Sequence, residues 1–443
     1  MSSTLPTELY GHIFNLLEHR SSLYSCRLVC TQWHACTMQT SLFRHVKVTN
    51  ANADGFASLL INSKSTLPLS IYKLTLEVNP GWLRRLLPFL QSLTNIRHLT
   101  LRNLDWAEIG PHTSSQLTSI YSNSVQQLTL GPGTRFPSLK DTTVFIEQFS
   151  RIDKLVVDSV CWNATFPSTR IMGYRHRGEI IPDHLRPLPR NCKNISFKNC
   201  SLRDVYHWLV SHKQLPEIST LALEDVTLED IIFQRGICFA FRTKIRDLSL
   251  SYNACPSMQA VVDSCAITHQ KYSAQGCDEM SSAELAFPQS SSRRVLESRM
   301  VPNADIVLPL LTTVRLGNFV YFTDRSRTGA IFYGMESLAF FLCRMPYSQL
   351  KNLHLGIVLH RAADIDQCDI NWELLDRMLR RPAPLTVDKR NIRRVENEGL
   401  DKIIFEVGGG ADLEGVEALM KKRLPQCSDA KILQFQTIEI NEK

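Results

Sequence analysis

The stretch IYKLTLEVNPGWLRRLLPFLQSLTNIRHLTL, residues 71–101, contains the pattern that decides the fold. It begins with IYKLTL and ends with IRHLTL, two copies of a hexad that reads apolar-x-x-apolar-x-apolar. The fourth and sixth side chains of such a hexad lie on one face of a short strand, and the residues between them face the other way. The intervening GWLRRLLPFLQSL (81–93) is typical of a helix. The stretch therefore predicts a strand, a helix and a second strand.

The hexad recurs along most of the chain. The other copies are VQQLTL (125–130), IDKLVV (152–157), CKNISF (192–197), ISTLAL (218–223), IRDLSL (245–250), LTTVRL (311–316), LKNLHL (350–355) and, more loosely, LDKIIF (400–405). Aligned on the fourth residue, the first four copies are 25, 29 and 27 residues apart. Helix-like segments separate them, as at 138–149 and 202–215.

A period of roughly 20 to 29 residues around an L-x-x-L-x-L core resembles that of leucine-rich repeats. That signature also asks for Asn or Cys at the ninth position, where Asn79, Cys200 and Asn253 stand. A polar or thiol group at this point can satisfy the backbone where the strand leaves the sheet. The predicted class is α/β, an irregular leucine-rich-repeat solenoid with a parallel concave sheet, behind a small N-terminal all-α domain.

The predicted domains are a helical domain at 1–48 and the solenoid at 49–443. Residues 251–310 are rich in Ser and contain no hexad, so we predict a flexible insertion there. Residues 400–443 suggest strand, turn, helix and strand, which would cap the last repeat against solvent.

Composition and charge favour a globular protein of the cytoplasm or nucleus. The chain has 443 residues, 44% of them hydrophobic and 21% charged, and a formal net charge of +7. This mild charge is no nucleic-acid signature. No apolar run reaches the roughly 18 residues that span a bilayer, and the first ten residues do not resemble a secretory signal. Thirteen cysteines, none in a C-x-x-C pair, fit a reducing compartment.

The N-terminal segment LPTELYGHIFNLLEHRSSLYSCRLVCTQWHACTMQTSLFRHV (5–46) predicts two or three short amphipathic helices. Pro6 suits a first helical turn, and Leu9 and Ile13 follow at helical spacing. A second helix is predicted from Ser21 or Ser22 through Trp33. So small a unit cannot enclose all of its apolar side chains, and exposed apolar surface of this kind usually marks a binding site.

The order of these residues closely resembles the F-box. The matching features are Leu5-Pro6-x-Glu8-Leu9, Ile13-Phe14, Leu16-Leu17, Leu28-Val29-Cys30, Trp33 and Leu42-Phe43-Arg44. The resemblance implies docking onto the Skp-type adaptor of a cullin–RING (SCF-type) ubiquitin ligase, with Trp33 holding the helices together. The residues it assigns to adaptor contact are Leu5, Pro6, Leu9, Ile13, Leu17, Leu28 and Val29.

The rest of the chain resembles the leucine-rich-repeat substrate receptors of that family. The resemblance implies a non-catalytic subunit that captures a target protein for ubiquitin-dependent degradation. We expect the outward strand residues to bind it; they are Lys73, Glu77, His98, Arg102, Lys154, Asp158, Lys198, Glu224, Asp247, Arg315 and His354. Five are basic and four acidic, a mixture that favours a protein partner over nucleic acid.

Two other functions are also compatible with this sequence. The chain could be a repeat scaffold whose first helices are only a cap, or a nucleic-acid-binding repeat protein without a role in ubiquitin transfer. Cys26, Cys30 and His34 recur every fourth residue, but structural zinc prefers closer pairs on two elements, so we predict no metal site. No pattern supports catalysis, and we expect neither an enzyme nor a cofactor.

Overall fold

The structure is a computed structural model that describes residues 10, 13–14, 22, 25–26, 28–40, 44–62, 67–164, 185–210, 212, 215–226, 230–252, 310–321, 350–367, 370, 372–380 and 400–438. The chain folds into two compact units, Met1–Glu217 and Ile218–Lys443. Of the predicted insertion at 251–310, residues 253–309 lie outside the described residues.

The first unit contains a parallel sheet. Its paired strands are β1 (His45–Thr49), β2 (Lys73–Glu77), β3 (His98–Leu101), β4 (Gln127–Leu130), β6 (Lys154–Asp158) and β8 (Asn194–Lys198). A separate parallel pair is formed by β5 (Arg135–Ser138) and β7 (Cys161–Ala164). Every described pairing in this unit is parallel, as the repeat pattern predicted.

The second unit has the same arrangement. Its strands, each paired in parallel with the next, are β9 (Thr220–Val226), β10 (Asp247–Tyr252), β11 (Thr313–Tyr321), β12 (Asn352–Val358), β13 (Lys402–Gly408) and β14 (Leu433–Thr437). The mixed α/β class with a parallel sheet is thus confirmed. The solenoid and the concavity of its sheet stay predictions.

Helices lie between many of the described strands, because parallel neighbours require crossover connections. Those described are Thr31–Thr40, Ala53–Ile61, Leu67–Ser70, Pro80–Leu90, Trp106–Tyr121, Leu139–Glu147, Leu202–Val210, Ile231–Ala240, Trp372–Arg380, Leu413–Arg423 and Pro425–Asp429, with a 3-10 helix at Ala362–Gln367. Trp106–Tyr121 is kinked at Gly110, whose φ is 77°. Within the described ranges, none of these helices has the length and hydropathy to cross a bilayer.

All ten hexads form strands, and each strand begins at the third residue of its hexad. The fourth residues are paired with one another along each sheet, as in Leu74–Leu99–Leu128. The side chains at the fourth and sixth positions of every copy are buried. Burying one such Leu or Ile contributes about 1.5–3 kcal/mol, so the repeated core accounts for the repeated strand.

The turn that follows the strand is also repeated. Asn103, Ser159, Asn199 and Asp225 all have φ between 48° and 56°, and each is the eighth residue counted from its hexad's start. Asn and Asp tolerate this left-handed conformation better than most residues. Ser159 N donates to Lys198 O at 2.8 Å, and Asp225 N donates to Ser251 Oγ at 3.0 Å.

Two of the three predicted ninth-position residues satisfy the backbone as expected. Asn79 Oδ1 accepts from Trp82 N at 2.9 Å and so caps the helix Pro80–Leu90. Cys200 Sγ donates to Lys198 O at 3.1 Å and to Val157 O at 3.5 Å. Burial raises the pKa of the Cys200 thiol to about 12. Asn253 lies outside the described residues.

The C-terminal region follows the predicted order of strand, turn, helix and strand, with one further short helix at Pro425–Asp429. Buried Asp376 caps that helix, because its carboxylate accepts from Gln426 N at 2.9 Å and Cys427 N at 3.0 Å. The turn after β13 contains Gly409 and Gly410, with φ of 86° and 90°.

Gly409→Ala should destabilise the end of β13 by about 3 kcal/mol, because strain and overpacking add. A Cβ there would come within 2.5 Å of Leu359 O and 2.9 Å of Leu359 N. The matched control is Gly410→Ala, which has the same strained φ but no heavy atom within 4 Å of its Cβ; it should cost about 1–2 kcal/mol. Hydrogen exchange of the β13 amides measures both costs, and equal losses would refute the close contact.

Candidate functional site

The N-terminal helical unit has a small aromatic core. Phe14 and Cys36 are buried, and Tyr10, Cys26 and Trp33 pack against them. The Trp33 ring lies edge-on to Phe14, with centroids 5.3 Å apart, and 6.0 Å from Tyr10. Because these rings come from residues far apart in the segment, Trp33 holds the unit together, as the sequence predicted.

The predicted second helix does not continue to Trp33: Ser22, Ser25 and Cys26 are helical, but the chain turns at Leu28 and Val29. Leu28 N donates to Ser25 O at 3.1 Å, and Val29 N donates to Cys26 O at 3.2 Å. A new helix then starts at Thr31. The backbone N–H of Trp33, in its first turn, donates to Cys30 Sγ at 3.4 Å. The thiol thus acts as a helix cap.

This turn leaves two large apolar side chains in solvent. Leu28 is 88% exposed, Val29 is 62% exposed, and Ile13 beside the buried Phe14 is 45% exposed. All three belong to the predicted adaptor-binding set. Leu5, Pro6, Leu9 and Leu17 lie outside the described residues. Adaptor contact itself stays a prediction.

Exposed apolar side chains around a small aromatic core are characteristic of a domain that is completed by a partner. Residues 2–49 match the family model described as F-box-like. No curated protein matches the chain. The F-box-like match covers the aromatic core, the exposed turn and β1, and it agrees with the resemblance found in the sequence.

Eleven outward strand residues were predicted to bind a target. In the first unit, Lys73, His98 and Lys154 lie in one row that crosses the sheet in register. Glu77 pairs with Lys47 at 2.8 Å, and Asp158 is the register neighbour of Lys198. Exposed Arg102 follows β3 and lies over Gly131.

The second unit brings Arg315 and His354 together around a residue that the sequence analysis missed. Glu406 Oε2 accepts from Arg315 Nε at 2.8 Å, and its Oε1 lies 2.7 Å from Arg315 Nη2 and 3.0 Å from His354 Nδ1. Gln436 Nε2 also donates to Oε1, at 3.2 Å. Four strands, β11 to β14, therefore contribute one polar cluster.

Glu406 is the buried centre of this cluster. Its side chain is 3% exposed, whereas that of Arg315 is 49% exposed. Burial opposes the charged form, but hydrogen bonds from His354 and Arg315, with the charge of Arg315, lower the pKa of Glu406 overall. Glu406 is the seventh residue counted from the start of the loose tenth hexad. Glu77 and Glu224 occupy the same outward position in their own copies.

The remaining predicted target residues, Glu224 and Asp247, lie on β9 and β10. Neither is a register partner of a residue in that cluster. Thr220 Oγ1 donates to Asp247 Oδ2 at 3.4 Å, so the Asp247 carboxylate already has a neighbour across the strands. The cluster at Glu406 and the row at Lys73 are thus separate features, one in each unit.

Two of the residues that recur every fourth position near the N-terminus, Cys26 and Cys30, have roles other than metal binding. Cys26 packs against the aromatic core, and exposed Cys30 caps the next helix. Among the described residues, three or more His, Cys, Asp or Glu side chains nowhere approach one another closely enough to hold a metal ion.

Proposed function

We propose that this chain is the substrate receptor of a Skp–cullin–RING ubiquitin ligase. The observation that carries the proposal is the F-box-like match at residues 2–49. It is supported by the exposure of Leu28 and Val29 on a turn of that segment. An adaptor that covered these side chains would remove apolar surface from water, which is the main source of affinity in most protein interfaces.

The remainder of the chain would be an irregular leucine-rich-repeat solenoid. Three regularities support this proposal: the shared starting point of the ten strands, the left-handed turn at the eighth position, and the backbone contacts of Asn79 and Cys200 at the ninth. Such stacks present an extended sheet face to a partner. The predicted outward residues of both units would then contact the target.

The proposed receptor contributes no catalytic group. It holds the target beside the enzymes of the ligase, and the raised local concentration of target lysines accelerates ubiquitin transfer. Such a role is expected in the cytoplasm or nucleus, where the chain would meet its adaptor.

The proposal is tested by affinity capture of the full chain and of a Leu5→Ala/Pro6→Ala variant, with the captured proteins quantified by mass spectrometry. Adaptor and cullin should be captured with the natural sequence and lost from the variant, while target candidates remain with both. Equal capture of ligase subunits by the two chains would contradict the proposal. Capture of no ligase subunit by either chain would leave the repeat-scaffold alternative.

A further inference from the structure

The outward face of the first unit has an unequal distribution of charge. One row crosses the amino ends of the strands in register and consists of His45, Lys73, His98, Gln127, Lys154 and Asn194. We name it the amino-end row. Every side chain in it carries an N–H group or can do so, and none carries a carboxylate. Adjacent strands are about 4.8 Å apart, so the row is a nearly continuous line of donors.

The two lysines of this row, Lys73 and Lys154, are its permanent positive charges. Among the described residues, no carboxylate lies within ion-pair distance of Lys73 or Lys154. The carboxyl ends of the same strands differ, because Lys47 pairs with Glu77 there and Asp158 neighbours Lys198. In the first unit the amino-end row therefore has two lysines and no carboxylate, whereas the carboxyl ends of the strands carry charges of both signs.

Arg44 adds a third cation beside the row. Its guanidinium lies 5.0 Å from the centre of the Tyr72 ring, and that ring is 4.9 Å from the imidazole of His98. Stacking of this kind restricts the arginine side chain and leaves its donors available. Arg44 and Tyr72 also line a pocket next to the row, together with Ser70, Asn95 and Arg97.

The electrostatics of His98 agree with this geometry. Burial, followed by the charge of Lys73, lowers the pKa of His98; Lys154 and Arg44 lower it further, while Asp153 acts in the opposite direction. The neutral imidazole can then donate one hydrogen bond without adding to the repulsion among the three cations. A ligand that carried negative charge would relieve that repulsion, so the site favours anions.

We propose that the amino-end row, with Arg44, binds a negatively charged, extended segment of the target protein. The inference rests on the proposed function in taking the ligand to be the target; the anion site itself does not require the F-box. Carboxylate and phosphate groups share the chemistry recognised here. Nucleic acid is disfavoured, because three cations across several strands give a weak electrostatic site and the Tyr72 face is already covered by Arg44.

The test measures binding of the full chain to fluorescent decaglutamate, decaglutamine and alternating phosphoserine–glycine peptides, and to a single-stranded oligonucleotide. The variant is Arg44→Gln/Lys73→Gln/Lys154→Gln. Its control, Lys351→Gln/Lys402→Gln/Lys422→Gln, removes the same charge from exposed lysines of the other unit. We expect decaglutamate to bind better than decaglutamine, and the variant to lose about tenfold in affinity while the control keeps it.

Tighter binding of the phosphoserine peptide than of decaglutamate would identify phosphate as the source of the anion, and weaker or equal binding would identify carboxylate. The proposal is overturned if neither anionic peptide binds more tightly than decaglutamine, or if the variant and its control lose affinity equally. It is also overturned if the oligonucleotide binds most tightly through the same three residues. Adaptor binding, measured on the same variant, reports separately on the proposed function.

Discussion

Arg315→Ala is expected to destabilise the unit Ile218–Lys443 by about 3 kcal/mol at pH 7, because it leaves a buried carboxylate without its principal partner. Arg315 contacts both oxygens of Glu406, and only His354 and Gln436 would remain. Removing one member of a buried pair costs more than the pair contributes, since the remaining charge was desolvated on folding. Hydrogen exchange of the β11–β13 amides measures the loss.

Arg377→Ala is the matched control for this substitution. Arg377 is about as exposed as Arg315, but its partner Glu373 is itself exposed and 3.9 Å away. Surface pairs of this kind contribute about 0–1 kcal/mol. If both substitutions cost the same, the burial of Glu406 has no energetic consequence and the cluster is an ordinary surface contact.

Acid pH should reduce the effect of Arg315→Ala. The folded pKa of Glu406 is lowered, so its contribution to stability is fully present above the ordinary value of about 4.3 and is lost as the pH falls through the lowered value. In the variant, the Arg315 interactions that lower the pKa of Glu406 are absent. Burial then raises that pKa, so the carboxylate is protonated at a higher pH than in the natural protein. The difference in stability between the two proteins should therefore shrink as the pH falls from the higher Glu406 pKa of the variant to the lowered pKa of the natural protein.

The second large effect is expected in the F-box-like segment. Leu28→Asp/Val29→Asp should weaken adaptor binding by about 100-fold, because two apolar side chains can no longer be buried in the interface. Both side chains are exposed in this chain, so the substitutions should leave its own stability nearly unchanged. Isothermal titration calorimetry of the full chain with purified Skp-type adaptor measures the affinity.

The control for this variant is Leu310→Asp, which puts one such negative charge on an exposed leucine of the other unit. It should bind the adaptor with unchanged affinity. Unchanged binding by the double variant would show that the turn at Leu28 and Val29 lies outside the interface.

The repeated strands could be predicted from sequence because their pattern is set by local burial. Three residues in each hexad are apolar, and the fourth and sixth are buried in every copy from Ile71 onward. Counting along the same pattern also identifies the outward residues. Glu406 follows the loose final hexad, whose match to the pattern is weak. It nevertheless falls at the same position as Glu77, so the pattern could have identified it.

Other features depend on contacts that sequence periodicity does not encode. The turn at Leu28 and Val29 interrupts a helical pattern, since Cys30 can cap the following helix through its thiol. The row of cations at the amino ends depends on the register between separate strands. A count of charges along the sequence does not show it.

Residues 2–49 match the F-box-like family model, and we propose that they bind a Skp-type adaptor. It is tested most directly by mixing the purified full chain with purified adaptor at micromolar concentration and measuring the mass of the eluting species by size-exclusion chromatography with light scattering. We expect a single one-to-one complex. Separate elution of the two proteins at their individual masses would contradict it.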